Sequence, residues 1–114
     1  MTNAPPKRLI FAAEIESVKA RIAIYEVRIP LFEKLAASVK ERPNVRHHQH
    51  KLREEIEATV LMMPAMQGVR VPGREETLQR LLEEVADIVA NLKEALGEAQ
   101  VHLAKLVARF EALP

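Results

Sequence analysis

The chain has 114 residues, enough for one modest hydrophobic core. Hydrophobic residues make up 48% and charged residues 29%, so neither a disordered chain nor a membrane protein is expected. Cysteine is absent, so disulfides and thiolate metal sites are excluded, and the three glycines and 4% aromatics are too few for a typical β-sandwich or α/β enzyme. Net charge is +1, but residues 1–53 carry eleven Lys/Arg against five Asp/Glu, and residues 54–114 carry six against eleven. Two oppositely charged halves are expected to attract each other, within a chain or between chains. No apolar signal-type stretch and no run of about 20 apolar residues is present, so a cytoplasmic location without membrane contact is expected.

The first segment, residues 7–42, places Phe11, Ile15, Val18, Ile22, Tyr25, Ile29, Phe32, Ala36 and Val39 at alternating spacings of four and three. That is the seam of a coiled coil, and no alternation by two suggests a strand. Ala20, Ile24, Val27 and Leu31 form a second apolar stripe roughly opposite the first. A helix with two apolar faces needs two sets of neighbours. Pro30 lies inside the segment, where it removes one backbone donor and disfavours the α conformation at Ile29. Because the seam keeps its register across Pro30, one kinked helix is expected rather than two.

A second helix is expected over residues 44–63, capped by Asn44 and ended by Pro64. Its start is the densest polar stretch in the chain, with Arg42, Arg46, His47, His48, His50, Lys51 and Arg53. Free backbone N–H groups and the helix dipole make such a start a candidate anion site. Arg42, Arg46, His47, Lys51 and Arg53 are therefore candidate contacts to an anion or a nucleic-acid phosphate. No aromatic residue interleaves with the basic ones, and no helix-turn-helix pattern is present, so nucleic acid is not the favoured partner. His47, His50 and Glu54 share one helical face, but one helix seldom supplies a full zinc ligand set, and no metal or other cofactor is expected.

Residues 64–73 read as a linker. The Leu61–Met66 stretch carries three of the four methionines, which suits an end-cap of the bundle or a docking loop. The third helix is expected over residues 74–113, with Glu75 and Glu76 in its first turn. Leu82, Val89, Leu96, Leu103 and Phe110 recur every seven residues, as do Val85, Leu92, Ala99, Leu106 and Leu113. Residues 99–113 are apolar most of the way round, and Gly97 lies off the seam, where it would permit close approach of another helix.

These features predict an all-α, elongated helical hairpin or three-helix bundle, long–short–long, as a single helical domain over residues 1–114. Helices of unequal length leave apolar faces uncovered, so a homo-oligomer or a partner protein is expected. The interface is expected to involve Ile15, Ile22, Ile24, Val27, Ile29, Leu31, Phe32, Leu96, Leu103, Leu106, Val107 and Phe110. The expected role is structural, as an assembly component or adaptor without catalysis, and no catalytic residue is assigned. No nucleophile–base pair and no glycine-rich phosphate loop is present.

One enzyme class shares the helix order. With Arg28, Lys40 and Arg53-Glu54 at spaced positions, the long–short–long arrangement resembles the all-helical chorismate mutases. In that family, basic residues of the first two helices surround a dianionic substrate. The resemblance covers about half the chain. It implies substrate contacts by Arg28, Lys40, Arg53 and Glu54, while Phe11 stands where the family has its early arginine and Gln100 is a loose match to its late glutamine.

Overall fold

A computed structural model describes residues 6–62 and 77–114. It contains three helices: α1 (Lys7–Glu41), α2 (Arg46–Met62) and α3 (Leu78–Glu111). The expected linker, and the methionines at positions 63 and 66, lie outside the described residues.

α1 runs unbroken for 35 residues with Pro30 inside it. Pro30 is exposed while Ile29 beside it is buried, so the proline sits on the solvent side of the helix. There, water can serve the Glu26 carbonyl that proline cannot bond.

The α1–α2 connection differs from the expectation. Asn44 does not cap α2. Pro43 and Asn44 are the central residues of a turn closed by the Val45 N–H donating to the Arg42 carbonyl at 3.1 Å, and α2 starts only at Arg46. Proline favours the second position of such a turn because its φ is already set. The Gln49 side chain then donates to the Pro43 carbonyl at 2.8 Å, tying the turn to the helix it precedes.

α3 also starts later than expected. Its cap is Thr77, whose hydroxyl accepts from the Arg80 N–H at 3.2 Å, so the first turn is Leu78–Arg80 and holds no acidic residue. Glu75 and Glu76 precede the helix and lie outside the described residues. Thr77→Ala should destabilise the fold by about 1 kcal/mol, since the cap's hydroxyl satisfies a backbone donor at this end. Thermal melting that matches the unmodified chain would show the cap to be dispensable.

α1 and α3 are antiparallel along most of their lengths. The Arg8 guanidinium stacks over the Phe110 ring, 5.0 Å from its centroid, and Glu33 faces Lys93 at 3.8 Å. α2 turns back along the second half of α1, where Arg28 donates to the Glu55 carboxylate. The result is a rod of 65 × 24 × 19 Å, with a Cα radius of gyration of 18.5 Å. A compact domain of this length would have about 13 Å.

The hydrophobic seams of all three helices meet in one core. Enclosure is uneven. Phe32, Val39, Leu52, Ile56, Leu81, Ile88 and Leu92 are completely buried where three helices overlap. Among the described residues only α1 and α3 remain towards the other end, where Leu103 and Phe110 are only half-buried; Ile22 and Leu96 are half-buried as well. Thr59 is buried in the three-helix half, and its hydroxyl has no hydrogen-bond partner among the described residues.

Candidate functional surfaces

The residues expected to form an interface separate into three groups. Ile15, Ile29, Phe32 and Leu106 are buried inside the chain's own core. Ile22, Leu31, Leu96, Leu103, Val107 and Phe110 are half-buried, and all of these except Leu31 pack against that core. Ile24 and Val27 face solvent, at 37% and 65% exposure.

The exposed pair belongs to a longer row. Ile10, Ala13, Ser17, Ala20, Ile24, Val27 and Leu31 follow one another at spacings of three and four. The first six are exposed and Leu31 is half-buried. Ile10, Ala13 and Ser17 extend the stripe that begins, on apolar character alone, at Ala20. The small and polar residues at 13 and 17 hide this extension from a search for large aliphatic side chains. The α1 helix is therefore amphipathic twice over, with one seam turned to α3 and the other turned outward.

The outer face of α3 is different in kind. Gly97 and Val101 lie in a shallow groove between Lys93, Glu94, Glu98 and Lys105, and Val101 is 57% exposed. Among the described residues a Cβ on Gly97 would meet no atom within 4 Å, so the glycine is not required by packing against them.

The basic segment is divided by the helix it lies on. Arg46, Gln49, His50 and Arg53, spaced at one and two turns, line a groove at the start of α2. The Arg53 Nε is buried and has no partner among the described residues. Gln49 and His50 join this groove by helical spacing, which a count of positive charge does not reveal. Lys51 is turned away and lies 3.7 Å from Glu55, Arg42 is the exposed C-cap of α1, and His47 is exposed. His50 Nε2 lies 2.9 Å from Glu54 Oε1, and among the described residues no group of three or more His, Asp or Glu is arranged to hold a metal ion.

The residues matched to the chorismate mutases lie on α1 and α2. Arg28 is held by Glu55, Arg53 lines the α2 groove, and Lys40 is exposed in the last turn of α1. No described helix is long and apolar enough to cross a membrane. The chain matches no protein-family model, no curated protein and no solved structure.

Proposed function

We propose that this chain is a non-catalytic helical assembly module that associates with itself or with another protein through amphipathic helices. The observation that carries the reading is the outward seam of α1. An exposed row of aliphatic and small residues in heptad spacing has no use in the chain's own core, and it matches the way helices recognise helices. Rows of this kind on a soluble surface mark interaction sites more often than isolated exposed side chains do.

The test is the mass in solution, by size-exclusion chromatography with light scattering at low and high salt. A discrete oligomer that persists in salt is expected, because apolar contacts are not screened. Monomer at every concentration, with no helical partner recovered from the native host, would sink the reading. Leu103→Glu serves as a control of a different kind. Leu103 packs in the α1–α3 seam, so a charge there lowers the melting temperature whether or not copies associate.

A second reading rests on the groove of Arg46, Gln49, His50 and Arg53, where a buried guanidinium nitrogen lacks a partner among the described residues. This arrangement suits an anion such as a phosphate group. Binding to nucleic acid that weakens steeply with salt, and is lost in Arg53→Gln, would favour it over the assembly reading.

A further inference from the structure

We propose that the outer seam of α1 is the contact between two copies of this chain, with the two α1 helices antiparallel about a two-fold axis level with Ile22. The inference rests on the self-association reading and adds the partner, the orientation and the register.

The seam has two unlike halves. Ala13, Ser17 and Ala20 are small, while Ile24, Val27 and Leu31 are large. When two helices pair antiparallel through alternating positions, the residue numbers that face each other add to a constant, and changing that constant by seven slides one helix by a heptad. With the constant at 44, Leu31 faces Ala13 of the second copy, Val27 faces Ser17, and Ile24 faces Ala20. The two-fold axis repeats these three layers on its other side. Each of the six layers then holds one large and one small residue, and the helices keep a uniform separation.

The neighbouring registers do not achieve this. One heptad lower, Ile10 meets Val27 while Ser17 meets Ala20, giving a crowded layer beside an empty one. One heptad higher, Ile24 meets Val27 on both sides of the axis. In a parallel pair every residue meets its own copy, so the helices would lie close over residues 13–20 and be forced apart over residues 24–31. Interaxial distance follows side-chain size, so a parallel pair would splay.

Charge agrees with the same register. Glu14 of one copy falls within about two residues, or about 3 Å, of the level of Arg28 in the other. Arg28 already holds Glu55, so each Glu14 joins an existing ion pair. At the end of the seam, Lys34 lies over Ile10 of the second copy, where its aliphatic stem can cover the isoleucine and its amine can reach water. Arg21 meets its own copy near the axis, the one unfavourable flank, and its exposure leaves that repulsion open to screening.

The absence of cysteine from the chain makes the geometry measurable. Ser17→Cys and Val27→Cys, mixed and oxidised as full-length chains, should give a disulfide between the two variants. Neither should cross-link to itself, because residue 17 and its copy, like residue 27 and its copy, stand about 15 Å apart along the axis. A disulfide needs Cα atoms within about 7 Å. Val27→Glu places two charges in the seam and should weaken the dimer about 100-fold. Val27 is exposed, so the melting curve of the dilute, dissociated chain should not change. Self-cross-linking of each variant alone would mean a parallel pair and overturn the geometry while leaving self-association intact. A dimer indifferent to Val27→Glu but broken by Gly97→Leu would move the contact to α3, again overturning this inference alone. An unmodified chain that stays monomeric would overturn both it and the self-association on which it rests.

Discussion

Phe32→Ala should destabilise the protein by about 3–5 kcal/mol, the range for removing a fully enclosed aromatic ring from a packed core. Phe32 is completely buried on α1 where all three helices overlap, with Leu52 and Ile56 on α2 and Leu81, Ile88 and Leu92 on α3 equally enclosed in the same core. A small domain has about 5–15 kcal/mol in total, so the loss is a large share of it. The melting temperature should fall by about 10–25 °C, since each kcal/mol shifts it by several degrees in a domain of this size. Ile22→Ala is the comparison. Ile22 is only half-buried, so less contact is lost and water can reach the gap, and it should cost less than half as much. Equal losses at the two positions, by thermal or urea unfolding, would contradict the uneven enclosure of the core.

Pro30→Ala should act in the opposite direction. Proline inside a helix is disfavoured by about 3 kcal/mol relative to alanine, through the missing N–H and the clash of its ring one turn back. Part of that is offset in the unfolded chain, which proline stiffens by about 0.4–1 kcal/mol. The ring is exposed, so its removal opens no cavity, and alanine restores a donor to the Glu26 carbonyl. A net gain of about 2 kcal/mol and a rise in melting temperature are expected. An unchanged or lower melting temperature would mean that the path of α1 at Pro30 is needed for packing against α2, and the gain in local geometry is spent there.

Much of the architecture can be read from residue spacing, because a seam of fours and threes has one structural meaning. The positions at 15, 18, 25, 29, 32 and 39 are the ones α1 buries, and the register holds across Pro30 as expected. The limits of the helices are less legible, since they depend on competition among short-range options. Asn44 is a good cap in isolation, but behind Pro43 it is a better turn residue, and the turn prevails. Thr77 sits in an unremarkable setting and is overshadowed by the acidic pair before it. Contacts between helices are the least legible of all. Nothing near Arg28 in the sequence points to Glu55, 27 residues away, and the pairing exists because α2 folds back along α1. The winding of α2 itself separates Lys51 from Arg53, which a linear count of charge places together.

The change from three helices to two along the rod gives its opening a direction. Partial unfolding begins where the fewest apolar contacts must be given up. The α1–α3 end, where Phe11, Leu103 and Phe110 are half-buried beside buried Ile15, Val18 and Leu106, is expected to separate first, while Phe32, Ile56 and Ile88 still hold the other end closed. Backbone amides of residues 7–20 and 100–111 should therefore exchange with solvent deuterium through a lower-energy opening than those near Phe32, which should exchange only when the whole molecule unfolds. A second copy laid along residues 10–34 would span both regions and slow exchange most in the half of α1 that the monomer protects least.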